Sequence, residues 1–105
     1  MRLASGLKVS ALLRRVALAG GFGAVLARGD ETAGSIAIVT REHGETALLV
    51  PVLGMEGHYD WREQARGDAI DSWIERARRM DPDLWVVELD IPDAARFVAE
   101  TLSDD

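Results

Sequence analysis

The sequence contains no cysteine, and Lys8 is the only lysine among its 105 residues. Without cysteine the chain can form no disulfide, perform no thiol catalysis and offer no thiolate ligand to a metal. The two histidines, His43 and His58, are too few to form a zinc site by themselves. No stretch reaches the ~20 consecutive apolar residues that a membrane-spanning helix needs. These absences remove the commonest catalytic and metal-binding patterns, so we predict no catalytic residue, no metal site, no cofactor and no membrane association.

The apolar content, by contrast, is sufficient for one folded domain. Hydrophobic residues make up 48% of the chain, which is typical of a globular protein and too much for a disordered one. The chain length corresponds to one domain. We therefore predict a single domain that spans residues 1–105.

The charge is unevenly distributed along the chain. Residues 1–28 hold five basic residues and no acid, whereas residues 29–105 hold seven arginines and eighteen acids, for a net charge of −6. An acidic body repels phosphates at long range, so nucleic acid is not an expected partner. The two charge sets should attract each other, either within the fold or between two copies of the chain, which makes a homo-oligomer one hypothesis.

Hydrophobic periodicity predicts both helices and strands. Amphipathic spacing predicts helices over residues 7–19, 68–80 and 94–102. Short apolar runs between turn residues predict strands over Phe22–Arg28, Ser35–Thr40, Thr46–Leu53 and Leu84–Ile91. The segment Gly54–Arg66 is irregular, and its partial alternation leaves a short extra strand as an alternative.

The order helix-strand-strand-strand-helix-strand-helix predicts an α+β fold. We expect a mixed, mostly antiparallel four-stranded sheet with helices packed on it. Tight turns predict that the first three strands form an antiparallel meander. Phe22–Arg28 is apolar on both faces, which favours a central position in the sheet. Pro51 cannot donate to a strand ladder, so the third strand is expected at an edge or bulged there.

Three segments resemble a known family. They are Val9–Arg15, Gly29-Asp30 with Ala33-Gly34 four residues later, and Asp81–Glu88, of which the last is the most specific. Over nearly its whole length the chain resembles a group of short alphaproteobacterial proteins defined only as a domain of unknown function. The resemblance implies a cytoplasmic bacterial protein, and it implies no activity, cofactor or catalytic residue.

The N-terminal part also resembles a twin-arginine export signal. Arg14-Arg15 precedes the small and apolar run from Val16 to Ala27. Apolar residues stand before the arginines where a polar segment is expected, and glycines interrupt the run. Cleavage after Ala27 would also remove a helix and a strand from a small domain. We therefore expect a cytoplasmic protein.

The densest group of aromatic and polar side chains lies between residues 58 and 62. Tyr, Trp and Arg are enriched at binding hot spots, so this group predicts a surface for an unidentified protein partner. The predicted partner-binding residues are His58, Tyr59, Trp61 and Arg62. In the alternative interpretation, Tyr59 and Trp61 only cover a sheet edge or a helix flank. A base or metal role for His58 with Asp60 is weaker, because two ligands do not make a metal site.

Arginines near the N-terminus form the best candidate anion site. Guanidinium groups present planar, forked donors that suit phosphate or carboxylate. The predicted anion-binding residues are Arg14, Arg15 and Arg28. In the alternative interpretation these arginines pair with acids inside the molecule, and the acidic turn Asp30-Glu31 is an obvious partner for Arg28.

A small enzyme is the second function class. The order helix-strand-strand-strand-helix-strand resembles the core of restriction-endonuclease-like nucleases, which hold Mg²⁺ with acids at strand ends. The strands Ser35–Thr40 and Thr46–Leu53 contain neither acid nor lysine, so this resemblance implies at most a catalytically degenerate relative. Its candidate anion and metal ligands would be Arg14, Arg15, Asp30, Asp81 and Asp83. We favour the other hypothesis, a non-enzymatic interaction or regulatory module.

Overall fold

The computed structural model describes residues 3–102, over which the chain forms three helices and five strands. The helices are α1 (Ser5–Leu18), α2 (Ala69–Met80) and α3 (Ala94–Leu102). The strands are β1 (Phe22–Ala27), β2 (Ile36–Glu42), β3 (Glu45–Leu53), β4 (Tyr59–Arg66) and β5 (Trp85–Asp90). The predicted α+β class, the three helices and the mixed sheet are confirmed. The predicted count of four strands is wrong, because residues 59–66 form a full strand.

The five strands form one sheet in the order β1-β5-β2-β3-β4. β5 lies between β1 and β2, antiparallel to β1 and parallel to β2. The predicted meander of the first three strands is therefore wrong, and the meander consists of β2, β3 and β4. The connection between β1 and β2 is a loop rather than a hairpin turn. Its backbone bonds to the start of β5, where Asp30 N donates to Asp83 O at 3.0 Å and Trp85 N donates to Ser35 O at 2.8 Å.

β1 is an edge strand, so its predicted central position is wrong. In the described part of the chain, β5 is its one partner strand. α1 covers one of its faces, and the other face leaves Phe22 63% and Leu26 52% exposed. β1 is therefore an apolar strand that lies at an edge of the sheet and is not buried on both faces.

β3 is an internal strand, although Pro51 predicted an edge. Its ladder with β2 ends at the pair Ile38–Leu49, whereas its ladder with β4 continues through Pro51–Trp61. The missing N–H of Pro51 therefore falls beyond the segment that pairs with β2, where a proline costs no bond to that strand. A bulge lies in the β3–β4 ladder near Leu48 and Leu49.

Helices cover both faces of the sheet. α1 and α3 pack on one face over a core of thirteen residues, and α2 packs on the other face over a smaller core. Alternation along β2 places Ile36 and Ile38 in the first core and Ala37 and Val39 in the second, which explains why the first four residues of this strand are all apolar. Helical spacing would place Met80 on the same stripe of α2 as the buried Ile70, but Met80 is 87% exposed at the end of the helix.

α1 begins at Ser5, and the loop before β2 satisfies its first backbone groups. The N–H groups of Ser5 and Gly6 donate to the carbonyls of Thr32 and Glu31, at 3.1 and 2.9 Å. The buried Ser5 hydroxyl donates to Gly34 O at 2.6 Å. These bonds use N–H groups that a helix cannot satisfy within itself, and they fix the start of α1 against the loop. Within residues 3–102, none of the helices combines the length and apolarity required to cross a membrane.

Candidate functional site

A cleft opens where the start of α1 meets the loop before β2, the outer strands and the end of α3. Its volume is about 510 Å³, within the usual range of ligand pockets. We call it the Tyr59–Trp61 cleft, after the two aromatic residues of its wall. Its lining residues are Leu3, Ala4, Ser5, Lys8, Thr32, Ala33, Gly34, Ser35, Ile36, Pro51, Tyr59, Trp61 and Leu102.

Tyr59 and Trp61 lie side by side on β4 because residues two apart on a strand share a face. Trp61 is partly buried and packs against the core beneath α1 and α3. Tyr59 is 48% exposed at the start of the strand. The wall therefore has one anchored ring and one ring that is available to solvent.

The structure separates the other two predicted partner-binding residues from this wall. His58 contributes its carbonyl oxygen, which accepts a bond from Gly54 N at 2.7 Å and closes the β3–β4 turn. Arg62 is exposed and lies 3.6 Å from the Asp60 carboxylate, and neither of these two charged residues lines the cleft. The predicted cluster thus divides, with Tyr59 and Trp61 in the cleft and His58 and Arg62 outside it.

A bulge decides which way β4 presents its side chains. Trp61 packs against the α1/α3 core, whereas Ala65 packs against the α2 core. Residues four apart on a regular strand would share a face. The register shift between Leu48 and Leu49 places Ala65 opposite Leu48 but Glu63 opposite Leu49, so one residue of β4 is extra and the alternation inverts. The bulge allows Trp61 to reach the cleft while Ala65 supports α2.

The three predicted anion-binding arginines do not converge. Arg15 donates to Glu100 at 3.0 Å and to Thr101 at 2.7 Å near the end of α3. Arg28 donates to Glu31 at 3.1 Å, beside the start of α1, and its guanidinium lies 5.1 Å from the centre of the Trp85 ring. The two arginines therefore lie towards opposite ends of α1.

Arg14 is exposed on α1 and belongs to neither group of contacts. Arg15 and Arg28 both hold carboxylates of the molecule itself, which agrees with the alternative of internal pairing. Anion binding by any of the three stays a prediction.

The candidate metal ligands Asp30 and Asp81 stabilise turns through hydrogen bonds to the backbone. The Asp30 carboxylate accepts the N–H groups of Thr32 and Ala33, at 3.1 and 2.8 Å. The Asp81 carboxylate accepts the N–H of Asp83 at 3.1 Å. Such bonds between a side chain and the following backbone are typical of Asp in turns. Within residues 3–102, no group of three or more His, Cys, Asp or Glu side chains is placed to hold a metal ion.

The exposed ion pair between Glu63 and Arg66 on β4 shifts the pKa values of both side chains. Arg66 donates two hydrogen bonds to Glu63, at 2.7 and 3.1 Å. These bonds hold the pKa of the Glu63 carboxyl below its ordinary value, and they raise the pKa of Arg66. Arg66 also reaches Glu45 on β3 at 3.1 Å. The pair therefore ties the bulged end of β4 to its neighbour.

Replacing Arg66 with glutamine should return the pKa of Glu63 towards its ordinary value, as followed by NMR titration of the carboxyl carbon. A carboxyl whose pKa is lowered by folding stabilises the fold above the pKa of the unfolded chain. That contribution is lost as the pH falls through the lower, folded-state pKa. Arg62→Gln is the matched control, because Arg62 faces Asp60 instead. An unchanged Glu63 titration in Arg66→Gln would contradict the assignment.

Two of the segments that carried the family resemblance meet in space. Asp30 N donates to Asp83 O, and the Trp85 indole N–H donates to Asp30 O at 2.8 Å. A Cβ added at Gly29 or Gly34 would meet the carbonyl oxygen of Asp83. The loop of residues 28–34 and the turn of residues 81–85 therefore form one close junction, and that junction places Thr32, Ala33 and Gly34 in the cleft wall.

The model of a family described as a protein of unknown function (DUF1491) matches residues 3–99 of the chain. The chain belongs to this family. The resemblance drawn from its sequence segments is thereby confirmed.

Solved structures of similar proteins share the DUF1491 fold. A crystal structure of a DUF1491 family protein from Caulobacter crescentus is 34% identical, with a TM-score of 0.80 over 91% of this chain and 94% of that one. A solution structure of a protein from Agrobacterium tumefaciens is 39% identical, with a TM-score of 0.74 over 89% of each chain. Both organisms are alphaproteobacteria. No curated protein matches the chain.

Sequence reasoning found the two aromatic residues of the cleft and missed its other walls. Ser5, Thr32, Pro51 and Leu102 come from four separate elements. No local pattern marks them, because each has an ordinary structural role as a helix start, a loop, a strand or a helix end. Only the sheet order brings them together.

Proposed function

We propose that the protein is a non-enzymatic interaction module, and that it binds an extended segment of a protein partner in the Tyr59–Trp61 cleft. The observation that supports this proposal is the pairing of a half-exposed Tyr59 with a partly buried Trp61 on one wall. Tyrosine and tryptophan are the residues most enriched at binding hot spots. A ring that is already anchored also loses little conformational freedom when a ligand packs on it.

The chemistry of the cleft suits peptide binding better than catalysis. Among its lining residues, all of them in the described part of the chain, there is no aspartate, glutamate or histidine. It therefore lacks the carboxylate or imidazole that most often serves in acid–base catalysis. The lining combines apolar residues such as Pro51 and Leu102 with the polar residues Thr32 and Ser35. That mixture suits one or two apolar side chains of a peptide together with its polar backbone.

The proposal is tested by selecting peptides from a displayed library of alphaproteobacterial protein fragments and measuring their affinities by calorimetry. Tyr59→Ala should weaken a selected peptide about thirtyfold, the ~2 kcal/mol expected of a hot spot. Trp61→Ala should weaken it at least as much. Met55→Ala is the matched control, because Met55 is a fully exposed apolar residue outside the cleft, and it should change nothing.

Circular dichroism of each variant would show that the fold is retained. Selected peptides that bind Tyr59→Ala and Trp61→Ala as tightly as wild type would overturn the assignment of the cleft. A library from which no peptide is enriched would count against the interaction module itself.

A further inference from the structure

β1 forms one free edge of the sheet and lacks the residues that usually protect an edge. Within residues 3–102, its six residues pair with β5 alone. From Val16 to Ala27 the sequence contains no charged residue and no proline, although charged residues make up 29% of the chain. A free edge presents unpaired N–H and C=O groups, and proteins normally protect it with charge, proline, a bulge or a covering element. Of the first three devices, β1 has only the bulge between Val25 and Ala27.

The opposite edge of the same sheet is protected in the usual way. β4 carries four charged residues among its eight: Asp60, Arg62, Glu63 and Arg66. They form the pairs Arg62–Asp60 and Arg66–Glu63 along the strand. A second copy that approached this edge would have to desolvate these charges. The sheet is thus asymmetric, with one charged edge and one apolar edge.

The surroundings of β1 also leave space for a neighbouring strand. On the α1 side, Leu13 packs close to Gly23. Helix geometry places Ser10 and Ala17, three residues before and four residues after Leu13, on the side of α1 that faces β1. Both residues are small and exposed. On the opposite face of the strand, Phe22 and Leu26 are the two large exposed side chains.

We infer that β1 pairs antiparallel with β1 of a second copy of this chain, around a two-fold axis at Ala24. An antiparallel pair of identical strands is self-complementary, as a two-fold interface requires. With Ala24 on the axis, Gly23 of one copy lies opposite Val25 of the other, and Phe22 of one copy faces the bulged segment around Leu26 of the other. No charged residue meets its own copy. The bulge at Leu26 leaves Phe22–Val25 in regular strand geometry. The product is one continuous ten-stranded sheet.

This interface is separate from the Tyr59–Trp61 cleft, because β1 and β4 are opposite edges of the sheet. A contact limited to six strand residues and their flanks is expected to bury less than the ~1,600 Å² of a standard interface. The dimer should therefore be weak and depend on protein concentration.

Sedimentation equilibrium from about 5 to 500 µM protein tests the inference, since that range covers the weak end of specific association. Wild type should shift from monomer to dimer as concentration rises. Phe22→Lys and Leu26→Lys should each raise the dissociation constant at least tenfold. Leu53→Lys is the matched control, because Leu53 is a similarly exposed residue at the end of β3, and it should behave as wild type. A wild-type monomer throughout, or a dimer that both edge variants retain, would overturn the inference.

A single cysteine tests the register directly, because the natural chain has none. Directly opposed residues of an antiparallel pair have Cβ atoms roughly 4.5–5.5 Å apart, within reach of a disulfide after a small adjustment. Ala24→Cys should therefore form a covalent dimer under mild oxidation or with a short bis-maleimide. Leu53→Cys should stay monomeric at the same concentration. Equal crosslinking of the two variants would contradict pairing at Ala24.

The salt dependence separates this dimer from one held by charge. Apolar strand pairing should persist when the salt concentration is raised, whereas attraction between the basic N-terminal part and the acidic body should be screened. Dissociation of the wild-type dimer by salt would overturn the edge model and support the charge-based one. Capture of a strand from a different protein by β1, with no self-pairing, would likewise overturn it.

Discussion

Replacing Trp85 with alanine should lower the free energy of unfolding by about 4 kcal/mol, as expected for truncation of a buried aromatic residue. The side chain is only 2% exposed and belongs to the core beneath α1 and α3. Its indole N–H donates to Asp30 O at 2.8 Å, and the Arg28 guanidinium lies over its ring. The substitution would open a cavity and would also detach the loop before β2. Urea unfolding followed by circular dichroism measures the change.

Two further variants divide this effect into its parts. Trp85→Phe keeps most of the ring and removes one of the two donors to the Asp30 carbonyl, which still accepts the N–H of Gly34 at 3.2 Å, so it should cost only about 1 kcal/mol. Leu53→Ala removes a side chain that is 59% exposed and should cost less than about 1 kcal/mol. If Trp85→Ala destabilised the protein no more than Leu53→Ala, the tryptophan would not hold the core and loop together as described.

Replacing Gly29 with alanine should destabilise the fold by about 2–3 kcal/mol, as expected for overpacking against rigid backbone. A Cβ at this position would meet Asp83 O and would lie 2.7 Å from Trp85 N and 2.6 Å from Trp85 Cδ1. Gly29 does not have a positive φ, so in open space alanine would stabilise the protein slightly by restricting the unfolded chain. A decrease in stability would therefore show that the loop and the turn are in close contact at Gly29, whereas a slight increase would show that there is open space. Thermal or urea unfolding of the purified variant measures it.

Gly44→Ala is the matched comparison, because Gly44 has a φ of +78° and no atom near the added Cβ. It should cost only the ~1–2 kcal/mol of a left-handed backbone. A Gly29→Ala protein as stable as wild type would show that the loop and the turn can separate without cost.

Where burial follows the local pattern, the sequence predicted the structure well. The stripe that predicted a helix over 68–80 corresponds to Ala69–Met80. Trp85, Val87 and Leu89 are two residues apart along β5, which predicts that they share a buried face, and Trp85 on that face is only 2% exposed. Both cases depend on periodicity within one element, which is visible without knowledge of the neighbouring elements.

The sequence predictions failed where the position of a strand depends on its contacts with other elements. β1 was predicted to be central because both faces are apolar, and local composition cannot distinguish a buried strand from an apolar edge. The meander was predicted from turn residues, but the loop of residues 28–35 is held by bonds to Asp83 and Trp85, fifty or more positions away. β4 was only partly predicted because its charged residues and its bulge interrupt the alternation that marks a strand.

The candidate site shows the same division. Tyr59 and Trp61 could be predicted because strand spacing places them on one face. Arg14, Arg15 and Arg28 were grouped by sequence proximity and by charge, yet Arg15 contacts α3 and Arg28 contacts the loop before β2. Charge type identifies residues that can bind an anion, but only tertiary structure decides whether they point to one place.

The position of β5 inside the sheet has a consequence for how the chain folds during its synthesis. β1 leaves the ribosome first among the strands, and β5 leaves it last. Until residues 85–90 are available, β1 has no strand partner and β2 has a partner on only one side. β1 therefore remains apolar and without its partner strand for most of translation. Contacts between residues so far apart in the sequence also form slowly. The sheet can be completed only after residues 85–90 have been synthesised, when β5 takes its place between β1 and β2.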